Sequence, residues 1–422
     1  MSVARRAADL VSAIQEKLTM RSAAVVTAML VAGCGVGDGG QAWAGNVVDS
    51  AGIPIVQNPA QGIWAGGEEW AVEEIFRVGG MDAGEDSQFA AVNGVDVDDE
   101  GRVYVADQQA RRIQVFNSDG SFARSIGQAG DGPGEFGPGL SGVFVHGGVI
   151  RVPDLTNQRV NLYDSEGEYT GSLPVLLTEG VPLRWDEAED GHLVIQRRGV
   201  DVEGMAALAE GDPIATLPGQ GEEARILATL PRGQSFAVEG GAPSIRLFEA
   251  EPIWDLSGSG RLARGMNSDY RIEIWSPDRL ERVVVREARP VEVTETEERR
   301  ILDMTRDLMV DAGAPPQAVE PLLQQMQFAD HYPLFAQLVL AGDGALWVQR
   351  IRTSRDVPEG VDWSPQDLGS NEWDVFDPEG RYLGMLALPL RFQLLREIDG
   401  VLWGLQRDEY DVQSVVGLRL TL

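Results

Sequence analysis

NGVDVDDEGRVYVADQQARRIQVFNSDGSFARSI, residues 93–126, decides the fold. It holds four short runs of alternating apolar and polar residues, rich in Val, Ile, Tyr and Phe, separated by turns of Asp, Glu, Ser and Gly. Alternation with period two marks a half-buried strand, so the stretch reads as a four-stranded antiparallel meander. Residues 140–173, LSGVFVHGGVIRVPDLTNQRVNLYDSEGEYTGSL, repeat it at an offset of 47, with Asp107 falling on Asp154, Arg112 on Arg159, Phe116 on Tyr163 and Gly120 on Gly167. One such sheet cannot cover both of its faces; radial stacking of copies does so and protects the strand edges.

Fainter copies follow when the turn and the strand after it serve as anchors: Glu189-Asp190-Gly191 before HLVI, Gly258-Ser259-Gly260 before RLAR, Gly342-Asp343-Gly344 before ALWV, and Ile398-Asp399-Gly400 before VLWG. The last copy ends VVGLRLTL after three strands, and WAVEEIFRVGG from Trp70 supplies the fourth, closing the ring and removing the open edges. The expectation is an all-β, six-bladed β-propeller of four-stranded antiparallel blades over residues 66–422, closed by an N-terminal strand. A helical hairpin is expected between blades four and five, at about 294–330. There Thr294 and Glu297 form a capping box, Ile301, Met304, Thr305, Leu308 and Met309 recur at helical spacing, and Gly313 with Pro315 and Pro316 ends the helix. A second helix would carry Val319, Leu322, Leu323 and Met326.

The run GRVYVADQQARRIQVFNSDGSFARSIG with GDGPGEF after it resembles an NHL-type propeller repeat, and the whole chain resembles the bacterial six-bladed β-propeller lipoproteins. That resemblance implies fold and export. Those families include scaffolds, receptor-like binders, lactonases and lyases, so the fold alone assigns no activity.

Residues 23–32, AAVVTAMLVA, form an apolar run too short to span a bilayer but of the length of a signal-peptide core. The run ends Val31-Ala32-Gly33-Cys34-Gly35, similar to a lipobox, with the chain's one cysteine where the acylated residue belongs. Residues 1–33 therefore read as a signal peptide, with Met20 an alternative start, and residues 34–65 as a lipid-anchored linker. The location implied is the cell envelope, in the periplasm or at the outer membrane, with the membrane reached only through Cys34. Cleavage after Ala42-Trp43-Ala44 would instead release a soluble secreted protein.

Composition narrows the chemistry. With 66 acidic against 35 basic residues and a net charge of −31, nucleic acid is an unfavourable partner. Lys17 is the sole lysine, which excludes Schiff-base and P-loop chemistry in a mature chain that has lost its signal peptide. One cysteine and three histidines leave no cysteine-rich zinc site. Gly132 to Gly137 matches G-x-G-x-x-G, but no helix follows. Asp96, Asp98, Glu100 and Asp107 mimic a calcium loop, but a strand interrupts the spacing.

In such blades the first-to-second and third-to-fourth turns share one face, and here they are uniformly tight. The long segments, residues 127–139, 197–212, 294–330 and 350–370, all fall on the opposite face, which is therefore expected to carry the binding site at the channel mouth. Asp107 and Asp154 close second strands on that face. Each is a structural acceptor of turn N–H groups, a partner of Arg112 or Arg159, or, with Asn93 or Glu251, an oxygen ligand of a divalent cation such as calcium. Arg184 begins an inner strand, as an anion binder or an inter-blade ion pair, and His331 is the histidine nearest the mouth. The function expected is a monomeric, cofactor-free propeller binding a small ligand or an envelope protein without catalysis. The alternative is a hydrolase or lactonase assisted by a cation in the channel.

Overall fold

The computed structural model describes residues 43–64, 70–198, 211–219, 221–233, 236–239, 242–311, 313–357, 365 and 368–421. Cys34 and the signal segment lie outside them, as do residues 199–210 of one long loop and 358–364 of another. Six four-stranded antiparallel units stand around an axis, as the repeats require. Blade one runs from Val92–Val97 to Phe122–Ile126, blade two from Phe144–His146 to Tyr169–Pro174, and blade three from Val181–Glu187 to Ile226–Leu230. Blade four runs from Pro252–Leu256 to Leu280–Arg286, and blade five from Leu338–Leu340 to Tyr382–Ala387. Blade six takes its first three strands from Phe392–Ile398, Val401–Arg407 and Gln413–Thr421. Its fourth is Ala71–Gly79, paired antiparallel from Ser414 against Gly79 to Thr421 against Ala71, so the ring closes as the split repeat predicts.

Apolar side chains fill the gap between each neighbouring pair of blades. Tyr104, Ile113 and Phe136 meet Val143, Ile150 and Tyr163 between blades one and two, and Trp347 and Trp373 meet Leu402 and Val416 between blades five and six. Burial of this kind contributes about 25 cal/mol per Å² of apolar surface, which makes the blade interfaces the main source of stability. The third-to-fourth turns repeat one device: Gly120, Gly167 and Gly380 take φ of 82°, 86° and 83°, a left-handed conformation suited to glycine. Near the axis the blades converge closely. A Cβ on Gly94 would lie 2.7 Å from the Cα of Gly142 in the next blade.

Two features depart from the sequence reading. Residues 46–58 do not form a free tether: Asn46–Ser50 and Ile53–Asn58 make a hairpin, and its second strand pairs parallel with the outer strand of blade four, Ile55 against Val283. The chain then crosses to blade five, where Ile63 and Trp64 donate backbone hydrogen bonds to the carbonyls of Tyr382 and Leu383. The β-branched run Ile53, Ile55, Val56 carries the strand signal that the Gly- and Ala-rich flanks obscure. The helical insertion is placed as expected, with α1 at Glu295–Asp311 and α2 at Pro316–Leu323. Met326 belongs not to α2 but to a short strand, Met326–Phe328, which pairs parallel with Ala242–Leu247 in an additional three-stranded sheet. Ile301 packs there with Leu247, Phe248, Val293 and Tyr332.

Candidate functional site

The six inner strands enclose an axial cavity of about 1050 Å³. Alternation along each strand sends every second side chain toward the axis, and three blades place a carboxylate there: Asp96 in blade one, Asp186 in blade three and Asp255 in blade four. Each follows an apolar or aromatic residue, in Val-Asp-Val, Trp-Asp-Glu and Trp-Asp-Leu, and Trp254 is wholly buried while Asp255 faces the cavity.

Two arginines hold these acids. Arg396 of blade six lies 3.2 Å from Asp96 and 3.7 Å from Asp186. Arg184 lies 2.6 Å from Asp255 and 3.5 Å from Asp186, donates to the Trp254 carbonyl, and sits 4.5 Å above the Trp254 ring. Backbone donors from the next blade complete the set: Val145 N–H to Asp96 at 2.7 Å, and Leu340 N–H to Asp255 at 2.8 Å. Arg184 is therefore a channel-lining residue and an inter-blade ion pair at once.

Glu187 adds a further carboxylate. Its side chain is 9% exposed, its nearest cation is Arg151 at 3.6 Å, and its Oε1 accepts no hydrogen bond. Burial first, then the charge of Asp96, pushes its carboxyl up to about 7, against the pull of Arg396 and Arg151. Burial also raises Asp96 and Asp255, with Asp186 adding to both. In each case burial is the main cause and the neighbouring carboxylates add to it, against the pull of the arginines.

A second tier of acids rims the cavity on the tight-turn face. Asp99 of blade one, Glu189 of blade three, Asp343 of blade five and Asp399 of blade six stand exposed there, beside Ser257 and Ser259 of blade four. Glu397, just below, accepts hydrogen bonds from Gly342 N–H at 3.0 Å and Gly400 N–H at 2.6 Å.

The residues singled out from sequence are not brought to one point. Asp107 is fully buried and accepts from the N–H groups of Ala90, Ala91 and Ala110 at 2.9, 2.9 and 3.2 Å. Asp154 does the same for Gly137 and Asn157, at 2.7 and 3.2 Å. Both are turn acceptors, and neither pairs with its arginine: Arg112 donates to the Gln88 carbonyl and Arg159 to those of Gly132 and Glu135. Asn93 lines the cavity but donates to the Leu140 carbonyl at 2.6 Å. Glu251 lies 3.7 Å from Arg198. His331 is exposed on the return from the helical insertion, bridged to Glu292 and away from the cavity. In the loop of residues 130–136, Glu135 accepts from Gly132 N–H and Phe136 is wholly buried, which accounts for its glycines and acid. Asp98 of the calcium-like run caps its own turn, accepting from Arg102 and Tyr104. Among the described residues no group of three or more His, Cys, Asp or Glu is placed to share one metal ion.

The axial acids were legible in one respect that anchoring on turns passes over: an aspartate in the middle of an inner strand, where an apolar residue is the rule.

With this geometry in view, comparison with known proteins gives a consistent result. A family model, DUF5128, described as a 6-bladed beta-propeller, matches residues 82–182, which hold the two clearest repeats. The chain is a six-bladed β-propeller. No curated protein matches it in sequence. Among solved structures, a protein of Bacteroides fragilis NCTC 9343 described as exported is 12% identical, with a TM-score of 0.51 over 87% of this chain and 100% of that one. A member of the duf4221 family from Bacteroides vulgatus is 11% identical, with a TM-score of 0.52 over 84% of this chain and 98% of that one. At such identities the likeness is one of fold. Among the described residues no helix is long and apolar enough to cross a membrane.

Proposed function

We propose that this propeller is an exported binding protein that takes a small polar ligand into its axial channel. The carrying observation is the lining of that cavity. It concentrates inner-strand carboxylates and arginines from four blades, and among the described residues no histidine, cysteine, lysine or tyrosine lines it. Ser141, Ser257 and Ser259 line the cavity without a histidine among its described lining residues to activate them; convergent charged groups in a preformed cavity suit recognition. Export is supported by the signal-like N-terminus and by the exported protein of like fold, and Cys34 is proposed as the acylated anchor. The acids inside the channel and on the tight-turn rim favour that mouth over the loop face as the ligand's route.

The test is retention. The full chain is equilibrated with a bacterial metabolite extract, and the small molecules it keeps are identified by mass spectrometry. Leu183→Trp, at an exposed cavity-lining position, should abolish retention while leaving the melting curve cooperative. Equal retention by this variant would sink the channel reading. For the anchor, Cys34→Ala should move the protein from the membrane fraction to the soluble one.

A further inference from the structure

We propose that the ligand of this channel is a linear organic cation bearing two or more ammonium groups, entering from the tight-turn mouth. The inference rests on the channel-binding reading and adds to it the ligand's chemistry and direction.

Charge comes first. The upper tier of Asp99, Glu189, Asp343 and Asp399 and the lower tier of Asp96, Asp186, Glu187 and Asp255 face only two lining arginines, Arg184 and Arg396. Both arginines are already committed to lower-tier acids, at 2.6 Å and 3.2 Å. Low-dielectric walls focus the remaining negative potential and draw cations inward.

The second observation is Glu187. Its side chain is nine-tenths buried in the cavity wall, and Oε1, which lies 3.6 Å from Arg151, receives no hydrogen bond from it or from any other described residue. A buried acceptor left without a donor costs about 1–3 kcal/mol, and an ammonium group offers three donors to fill it. Burial first, and then the charge of Asp96, raises the proton affinity of this carboxyl.

The third is spacing. The acids are spread around the ring and are not grouped to share one metal ion. From Asp96 to Asp99, and from Asp186 to Glu189, the chain advances three residues, roughly 10 Å or less at about 3.3 Å per residue. Two tiers separated in this way match charges spaced along an aliphatic chain. A point charge would meet one tier only, and an anion would be repelled at the rim.

Spermidine is the probe, titrated calorimetrically into the full chain, with citrate as an anionic and glucose as a neutral comparison. One spermidine per chain is expected, and no heat from the other two. Glu187→Gln should weaken binding at least tenfold, and the rim pair Asp99→Asn with Asp399→Asn severalfold. Glu295→Gln, exposed on α1, should leave it unchanged. Should Glu187→Gln fail to fold, the exposed rim pair carries the test. Absence of spermidine binding, while Leu183→Trp still abolishes retention of some other small molecule, overturns the cation inference and spares the channel reading. Spermidine bound alike by the wild type, Leu183→Trp and the rim pair overturns both.

Discussion

Arg396 Nη1 lies 3.2 Å from Asp96 Oδ2, an ion pair that joins the last blade to the first at the axis. The ring is also closed at its outer edge by Ala71–Gly79, so the seam between blades six and one is held at both radii. Arg396 is the central cation for Asp96, Asp186, Glu187 and Asp255, whose charges hold its guanidinium strongly protonated in spite of burial.

Removing that cation leaves several carboxylates facing one another. Losing one partner of a buried pair costs about 3–5 kcal/mol, and water in the cavity reduces this, because 24% of the Arg396 side chain is accessible. Arg396→Met should therefore destabilise the protein by roughly 3 kcal/mol, read from the urea midpoint. Adding Asp96→Asn to Arg396→Met should recover part of the loss, since the orphaned charge is then gone. A double variant less stable than Arg396→Met alone would contradict this account.

The channel acids also set a pH dependence. Glu187, pushed up to about 7, holds a proton in the folded state that the unfolded chain releases near 4.5. Its contribution is complete below about pH 4.5 and is lost as the pH rises through about 7. Glu297 acts in the opposite sense. Burial would raise it, but hydrogen bonds from Arg355, Thr294 and Ser354 hold it near 2, so its contribution is lost only as the pH falls below about 4.5. The melting temperature should decline from pH 5 to pH 8, and Glu187→Gln should flatten that decline. Spermidine affinity should rise over the same interval, because the deprotonated carboxylate is the form that receives an ammonium group.

Asp107 and Asp154, read from sequence as turn acceptors, arginine partners or cation ligands, carry a stability prediction as turn acceptors. Each accepts from at least two backbone N–H groups at the end of a second strand. Alanine at either position orphans those donors at roughly 3 kcal/mol. Asparagine keeps one acceptor oxygen and should recover about half of that in urea denaturation. Identical midpoints for the alanine and asparagine variants would remove the hydrogen-bond explanation.

The fold was readable because its unit is local. A blade is four strands joined by tight turns, and turn chemistry together with period-two alternation specifies it within some 35 residues. Even the split sixth blade was visible, as three strands at one end of the chain and one at the other. The channel was not. Asp96, Asp186, Asp255 and Arg396 sit in four blades, far apart along the chain, and they converge only because inner strands meet at the axis. Asp107 and Asp154 stood out instead because they repeat at one offset, and they repeat because every such strand end presents N–H groups to be satisfied. The hairpin of residues 46–58 was concealed for another reason. It belongs to no repeat, and its pairing partner at Val283 lies far along the chain.

That hairpin is secured by one side chain. Asn58 is buried and uses both ends of its amide: Nδ2 donates to the carbonyls of Val285 at 3.3 Å and Gly380 at 2.9 Å, and Oδ1 accepts from Tyr382 N–H at 2.7 Å and Trp43 Nε1 at 3.0 Å. It thereby ties the N-terminal strand to blade four and blade five together. Aspartate has nearly the same shape but no donors, and would set a carboxylate against two carbonyl oxygens. Asn58→Asp should consequently be more damaging near neutral pH than Asn58→Ala, which forfeits the hydrogen bonds at roughly 2–3 kcal/mol without adding repulsion. Hydrogen exchange supplies the check. Amides of residues 53–58 should lose protection in both variants, those of the inner strands should keep it, and the aspartate variant should regain protection as the pH is lowered. Loss of protection throughout blades four and five would mean that Asn58 supports the blades themselves and not merely the strand laid against them.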